Sequence, residues 1–440
     1  MEPFDIVIIN GFVLTMDPSE NVFAPGYVAT RGCDIAAVGR YDGGRFNAVR
    51  TIDADGGIIL PGLINAHTHA PMTLFRGIAD DRPLLEWLSK YIFPVEKRMD
   101  DSFVYAGARL ACAEMILSGT TTFCDMYLFE QEVARAAKES GMRCLVGEVI
   151  YDFPSPSYGP AENGLKHTES LIKTWQDDPL VSVAVEPHSL FTCSPDLLKA
   201  ALETALQYNV PLVTHVAETL AEVMEIRRRY GKGPVEHLSD LGLLGPNLIA
   251  DHCVHLNDDD IKRIADAGAR VVHNPESNMK LASGIAPVPA MLAAGITVGL
   301  GTDGCASNNN LDLVTEMDTA AKLHKVASMD PTVMNAVTVL SMATRGGAKA
   351  LGMEDITGSL EKGKKADIIV VDTNRPHLTP MYNPYSHMVY AARGNDVSHS
   401  IINGRLVMEN RRLLTIDVEQ TIKEADKKAD DVREWIGYYS

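Results

Sequence analysis

Histidines and carboxylates stand at the ends of several apolar runs in this sequence, where they could carry metal-dependent chemistry. His67 and His69 are two positions apart, so on a strand both imidazoles point to one face and can reach the same ion. His215 and Asp303 end later apolar runs and can complete the shell. Imidazole nitrogens with one carboxylate suit a borderline ion and leave a position open for water. We therefore predict one divalent ion, with zinc preferred and iron or manganese as alternatives.

Such an ion would supply a nucleophile, because it lowers the pKa of a bound water to about 7 and stabilises negative charge in the transition state. Glu218 follows His215 by three residues and lies just past the run, where its carboxylate could deliver a proton to a ring nitrogen. His252 could polarise or deprotonate the attacking water, and Asp303 could do so from its free oxygen. The predicted catalytic residues are Glu218, His252 and Asp303.

The middle of the chain alternates short apolar runs with stretches of helical periodicity, a pattern typical of a buried parallel sheet. Eight runs lie at 58–69, 120–126, 144–151, 181–188, 211–218, 248–255, 270–274 and 296–303. Eight parallel strands with intervening helices close into a barrel whose chemistry lies at the C-terminal strand ends. The polar residues fall at those ends, so we predict a (β/α)8 TIM-type barrel.

The two ends of the chain differ from the middle, because they carry short alternating runs separated by turn residues, as antiparallel strands do. We predict a small composite β-sandwich from residues 1–60 and 366–425 and a metal-dependent barrel hydrolase domain over 61–365. The C-terminal helix or tail is assigned to 426–440. Alternating charges with spaced apolar residues already favour a solvated helix over 418–435.

Composition limits the partners of the chain. Its 440 residues carry a formal net charge of −18, which argues against nucleic acid, because phosphate binding needs basic patches. The N-terminus lacks a secretion signal and no apolar run is long enough to span a bilayer. We therefore expect a cytoplasmic protein with a small-molecule substrate and no membrane partner. A homo-oligomer is expected for a chain of this kind.

The setting of these residues is similar to a known family. The segment 60–69, Leu-Pro-Gly-Leu-Ile-Asn-Ala-His-Thr-His, with His215, His252 and Asp303 on later strands, resembles the amidohydrolase superfamily. The segment 358–367 is where such chains return to the small β-sandwich. In binuclear branches a lysine from strand three or four bridges two ions. The third and fourth runs contain no lysine, so the resemblance implies a mononuclear site of the deaminase branch, which the pair of His215 and Glu218 also matches.

Within that branch the chain resembles the 5′-methylthioadenosine/S-adenosylhomocysteine deaminases. The resemblance implies that Glu96, in Pro-Val-Glu-Lys-Arg-Met, binds the ribose hydroxyls, and that His188 reaches the nucleoside, with Glu218 also contacting the substrate. The segment 277–281 follows the pattern of the family after strand seven. The family activity is hydrolysis of an adenosine-type nucleoside to the inosine analogue and ammonia. Arginines that can meet a carboxylate-bearing tail are absent from 145–160, which favours a methylthio or deoxy nucleoside over S-adenosylhomocysteine.

Two other functions fit parts of the pattern. A related amidohydrolase could act on guanine or a triazine as a deaminase or chlorohydrolase. A non-catalytic binding scaffold would have lost metal ligands, and none is missing here. The match of Ser277 and Lys280 to a Ser-x-x-Lys nucleophile is interpreted as chance, because no Lys-Thr-Gly accompanies it. His273 ends a strand but is assigned no chemistry.

Overall fold

The barrel strands are parallel and surround a single core. The computed structural model describes residues 2–78, 80–81 and 88–437. The barrel strands are β6 (Leu63–Thr68), β7 (Thr120–Tyr127), β8 (Arg143–Ile150), β9 (Val181–Val183), β10 (Glu186–Pro187), β11 (Leu212–Val216), β12 (Leu248–His252), β13 (Arg270–His273) and β14 (Val298–Leu300). Strands β6 to β8 pair in chain order, with β9 and β10 both on β8, and β11 to β14 pair in a second sheet.

Two short connections close these sheets into a barrel. Parallel bridges join Val185 to Leu212 and Ser189 to His215, which links the fourth strand position to the fifth. The backbone N–H of Asp303 donates to the carbonyl of His67 at 2.9 Å, which links the last strand to the first. The predicted TIM barrel is therefore confirmed.

The first predicted run, 58–69, was wrong as a single barrel strand. It divides at Gly62: β5 (Ile58–Pro61) joins the sheet of the chain ends, and only β6 enters the barrel. A Cβ atom on residue 62 would lie 2.0 Å from Oγ1 of Thr121, so glycine permits the close passage from one sheet to the other. Apolar periodicity could not reveal this break, because both halves are buried.

Helices surround the barrel, and several begin where a side chain caps the first turn. Asp100, Ser194, Thr219, Asn257 and Asp312 each accept a hydrogen bond from a backbone N–H of the helix that follows. The α-helices are Phe93–Glu96, Asp101–Leu117, Glu130–Ser140, Gly164–Trp175, Pro195–Tyr208, Leu220–Tyr230, Pro234–Asp240, Asp258–Ala267, Pro275–Lys280, Val288–Ala293, Leu313–Ser328, Ala336–Met342, Arg345–Leu351, Pro384–Tyr390 and Val418–Trp435.

Both chain ends contribute to one nine-stranded sheet, consistent with the predicted β-sandwich. Besides β5, its strands are β1 (Phe4–Leu14), β2 (Val22–Arg31), β3 (Asp34–Arg40), β4 (Ala48–Asp53), β15 (Ile368–Val371), β16 (Val397–Ile402), β17 (Arg405–Glu409) and β18 (Arg412–Leu413). The strand order is β18-β17-β16-β15-β5-β1-β2-β3, with β4 paired to β1. The antiparallel pair of β5 and β15 joins the two ends.

The C-terminal helix begins at Val418, before the predicted boundary at residue 426, and ends at Trp435. Asp417 caps it, since its side chain accepts from the N–H of Gln420. Residues 438–440 of the predicted tail lie outside the described residues. Within the described part of the chain, no helix combines the length and the apolar character that crossing a membrane requires.

Candidate active site

The four predicted metal ligands meet at the C-terminal end of the barrel. The ring centroids of His67 and His69 are 4.9 Å apart, and those of His67 and His215 are 5.0 Å apart. Oδ1 of Asp303 lies 3.7 Å from Nε2 of His67 and 3.2 Å from Nε2 of His69. The first, fifth and eighth strands thus bring their ligand candidates to one point, as the barrel topology requires.

Hydrogen bonds to the backbone fix the rings of His69 and His215, and each bond uses only one of the two ring nitrogens. Nδ1 of His69 lies 2.5 Å from the carbonyl oxygen of Met126, and Nδ1 of His215 lies 2.8 Å from that of His188. Because a carbonyl accepts, each Nδ1 carries a proton, and each Nε2 is the nitrogen that could face an ion. Nε2 of His67 is buried without a hydrogen-bond partner among the described residues. An orphaned buried nitrogen of this kind fits a site that a metal ion completes.

Two overlapping groups of side chains could hold the ion. His67, His69 and Asp303 form one group, and His67, His215 and His252 form the other, with ligand atoms within 4.8 Å of one another in each group. The geometry therefore places His252 within reach of the predicted ligands. Nδ1 of His252 is 2.9 Å from Oδ1 of Asn278, which leaves its Nε2 as the remaining free nitrogen of that ring.

Burial and neighbouring charges set the ionisation states around the site. Burial opposes a charge on His69, but the hydrogen bond and charge of Asp303 raise its pKa to about 9. Burial and the neighbouring imidazoles hold the pKa of His215 well below its usual value, so its ring is neutral, the form that binds a metal. Burial opposes ionisation of Asp303, but the hydrogen bond and charge of His69 hold the pKa of its carboxyl well below the usual range. The site therefore offers a neutral imidazole of His215 beside an ionised carboxylate.

Unusual backbone conformations occur where three of the barrel strands end. Ala217, His252 and Asp303 have φ values of 52°, 68° and 61°, a left-handed region that residues other than glycine rarely adopt. Such conformations cluster at functional sites, where the surrounding structure holds them in place. At Asp303 the hold is visible: Ser277 Oγ donates to Oδ2 at 2.6 Å, and the N–H of Gly304 donates to Oδ1 at 2.7 Å.

Glu218 lies just after the fifth strand in a loop that a second carboxylate holds. The N–H of Glu218 donates to Oε2 of Glu222 at 2.9 Å, and the N–H of Ala217 donates to Oε1 at 3.3 Å. Burial disfavours a charge on His252, but the carboxylates of Glu218 and Asp303 raise its pKa above the usual value. The charge of Glu218 thus acts on the ring of His252.

Glu96 and His188, two of the three predicted substrate residues, lie near different ligand candidates. Oε1 of Glu96, at the end of its short helix, accepts a hydrogen bond of 2.9 Å from the hydroxyl of Tyr127, and burial raises the pKa of Glu96 to about 6. The ring of His188 lies 4.9 Å from that of His215 and 5.2 Å from that of Tyr151. Burial lowers the pKa of His188 to about 3, so its ring is neutral.

A family model described as "Amidohydrolase family" matches residues 58–407, which is most of the chain. The chain belongs to the amidohydrolase family. The family and the donor set together indicate a divalent metal ion for this amidohydrolase.

Individual relatives extend over nearly the full length. The chain is 60% identical to the 5-methylthioadenosine/S-adenosylhomocysteine deaminase of Syntrophobacter fumaroxidans, over 95% of this chain and 96% of the relative. It is 46% identical to the 5′-deoxyadenosine deaminase of Methanosarcina mazei, over 97% and 98% respectively. A crystal structure of an adenosine deaminase from Xanthomonas campestris with bound zinc superposes with a TM-score of 0.96 at 39% identity, covering 98% of this chain and 99% of that one. The resemblance drawn from the sequence is confirmed.

Sequence reasoning missed three residues that contact the site in this amidohydrolase. Asp251 lies 3.1 Å from His67, Ser277 binds Asp303, and Tyr127 binds Glu96. Tyr127 and Asp251 stand at or next to strand ends, and this position was the available signal. Ser277 was interpreted as a chance match to a nucleophile motif. Its hydroxyl donates a hydrogen bond to the carboxylate of Asp303, one of the predicted metal ligands.

Proposed function

We propose that this amidohydrolase is a metal-dependent hydrolytic deaminase, which converts an adenosine-type nucleoside and water to the inosine analogue and ammonia. The observation that carries the proposal is the meeting of His67, His69, His215 and Asp303 at the strand ends, with Glu218 beside them. Support for the substrate class comes from relatives at 60% and 46% identity that are named for methylthioadenosine, S-adenosylhomocysteine and 5′-deoxyadenosine.

The proposed site holds one divalent ion per subunit, and zinc fits the donor set better than iron or manganese. His67, His69, His215 and Asp303 are its ligands. When bound, the ion would supply an activated water and stabilise the negative charge that develops on the substrate. The neutral ring of His215 and the ionised Asp303 are in the forms that bind such an ion, whereas His69, with a pKa raised to about 9, would release a proton as the ion binds.

Three side chains move protons in the proposed reaction. Glu218 donates a proton to N1 of the adenine ring, which makes C6 more electrophilic. His252 and Asp303 hold the attacking water and accept its proton. One proton of the water then passes to the amino group, the C6–N bond breaks and ammonia departs. The second proton of the water returns to Glu218, while C6 keeps the oxygen and N1 keeps its proton. The charges of Glu218 and Asp303 raise the pKa of His252, which favours transfer of a proton to its ring.

The remaining contacts orient the nucleoside. Glu96 accepts hydrogen bonds from the ribose hydroxyls, and the hydroxyl of Tyr127 holds its carboxylate in place. The neutral ring of His188 donates to or accepts from the nucleoside. Beyond His188 the rings of Tyr151 and Phe153 stack with centroids 4.4 Å apart, an apolar surface that suits a methylthio or 5′-deoxy group. A carboxylate-bearing tail would find no arginine in 145–160.

A nucleoside panel tests the proposal. Metal-loaded enzyme is incubated with 5′-methylthioadenosine, 5′-deoxyadenosine, adenosine and S-adenosylhomocysteine, and with guanine and a chlorotriazine as competing substrate classes. The adenine-to-hypoxanthine absorbance change and ammonia release are recorded. We expect turnover of the adenosine-type compounds, with the methylthio and deoxy nucleosides preferred. Activity confined to guanine or the triazine would overturn the proposal.

Domain division, cellular location and oligomeric state complete the proposal. The division into a composite unit (1–60 and 366–425), a barrel domain (61–365) and a tail (426–440) stays a proposal, with the tail helix beginning at Val418. The cytoplasmic location and the homo-oligomeric state stay predictions.

A further inference from the structure

A carboxylate lies directly behind one of the proposed metal ligands. Oδ2 of Asp251, on β12, is 3.1 Å from Nδ1 of His67, and the side chains of both residues are completely buried. The strand pairing places Asp251 beside His215, the ligand candidate on the neighbouring strand. Apart from the contact with His67, neither carboxylate oxygen of Asp251 has a hydrogen-bond partner among the described residues.

A buried carboxylate without a partner is costly, so its position needs a reason. Nδ1 of His67 also has no hydrogen-bond partner among the described residues, and it is the nitrogen that lies 3.1 Å from Oδ2 of Asp251. A carboxylate in this position holds the proton on Nδ1, fixes the ring orientation and makes Nε2 a more basic ligand. Nε2 of His67 lies 3.7 Å from Oδ1 of Asp303, another proposed metal ligand.

A second buried carboxyl group, that of Glu186, lies near Asp251. Glu186 is also completely buried, and burial and the charge of Asp251 raise the pKa of Glu186 well above its usual value. Gly147 makes room for Glu186, because a Cβ atom at 147 would lie 2.2 Å from Cγ and Cδ of Glu186. Asp251, and not Glu186, is the carboxyl group that contacts His67.

We infer that Asp251 is a positioning residue, which acts through His67 to hold the imidazole in the tautomer and orientation that bind the ion. This inference rests on the proposed metal-dependent function but concerns metal affinity, not the choice of nucleoside. Asp251 touches neither substrate nor metal. Its effect reaches the reaction only through the ring of His67.

The test compares Asp251→Asn and Asp251→Ala with the wild type. Metal affinity is measured by competition with a chromogenic chelator, using zinc alone as the probe. The thermal midpoint of each protein is measured with and without zinc. We expect the Ala variant to bind zinc roughly 10- to 100-fold more weakly, as loss of such partners does. The Asn variant should fall between, because its amide oxygen can still accept from Nδ1–H of His67.

The stability readout separates positioning from a merely structural role. Loss of the carboxylate should lower the midpoint of the zinc-loaded protein more than that of the metal-free protein, so the stabilisation by zinc shrinks. Asp367→Asn is the matched control, since Asp367 is equally buried but pairs with Arg143 through a 2.9 Å contact. This control should lower the midpoint in both states and leave zinc affinity unchanged.

Each outcome decides the inference. Wild-type zinc affinity in Asp251→Asn and Asp251→Ala would overturn it, as would an equal loss of midpoint with and without zinc. If the Ala variant does not fold, the Asn variant carries the comparison, and wild-type zinc affinity there would also overturn the inference. If the wild type bound no zinc and deaminated no nucleoside, the proposed function itself would fail, a result that the nucleoside panel distinguishes.

Discussion

The hydroxyl of Ser277 donates a hydrogen bond of 2.6 Å to Oδ2 of Asp303. Both residues are buried, and the donor lies in the short helix that follows the seventh strand, while the acceptor follows the eighth. The bond directs Oδ1 of Asp303 towards His69, 3.2 Å away. The hydrogen bond therefore connects two loops of the barrel through the carboxylate of Asp303, a proposed metal ligand.

Ser277→Ala should weaken the site without unfolding the protein. A hydrogen bond to an ionised group contributes about 1.5–3 kcal/mol, which corresponds to roughly a tenfold or greater loss. We expect kcat to fall by about that factor, and zinc affinity to fall with it, in steady-state assays and chelator competition. Ser283→Ala is the control, because Ser283 is also buried but its hydroxyl has no partner among the described residues. Equal effects of both changes would contradict the assigned role of Ser277.

Glu218→Gln should keep the metal and lose turnover. The amide cannot donate a carboxyl proton to N1, so kcat should fall by roughly 10²- to 10⁴-fold, the usual contribution of a positioned acid. Steady-state kinetics and metal analysis of the same preparation give the two readouts. Glu225→Gln, on the exposed face of the next helix, should behave like the wild type. A Glu218→Gln protein with wild-type turnover would contradict the mechanism.

Acid should weaken substrate binding through Glu96. Burial raises the pKa of this carboxyl to about 6, so the carboxylate that accepts from the ribose hydroxyls is present above that pH and lost below it. We expect KM for the nucleosides to rise as the pH falls through about 6. Glu96→Gln should have a high KM at every pH and lack this step. A step of the same size in both proteins would show that another group titrates.

Gly147→Ala should destabilise the barrel. The added methyl would lie 2.2 Å from Glu186, and overpacking of this kind costs about 1–3 kcal/mol or more. Urea unfolding should show a lower midpoint with an unchanged slope. Gly245→Ala is the matched control, since no atom lies within 4 Å of a Cβ built there. An unchanged midpoint in Gly147→Ala would mean that Glu186 moves aside at little cost.

The barrel and its ligand positions were predictable because they depend on local patterns. The second apolar run, 120–126, became the strand Thr120–Tyr127, and the histidines and Asp303 fell at strand ends, where parallel topology gathers side chains. The fourth run, 181–188, was predicted as one strand but divides into Val181–Val183 and Glu186–Pro187. Pro187 has no backbone N–H to donate to a strand neighbour, which limits the length of the second strand.

The partners of the ligands were not predictable from the same patterns. Asp251 contacts His67 and Ser277 contacts Asp303 across long separations in the chain, and each contact exists only once the barrel has closed. The contact of Tyr127 with Glu96 depends on the path of a short helix between two strands. Spacing along the sequence gives the face of a strand, but it does not give the neighbours that folding brings to that face.

Zinc titration of the metal-free enzyme measures whether deamination requires the ion. Protein freed of metal with a chelator is reloaded with zinc in steps, and ammonia release from 5′-methylthioadenosine and 5′-deoxyadenosine is measured at each step. We expect no release from the metal-free protein, a linear rise to about one equivalent per chain, and no further rise beyond it. Deamination by the metal-free protein, or no ammonia at any zinc level, would contradict this expectation.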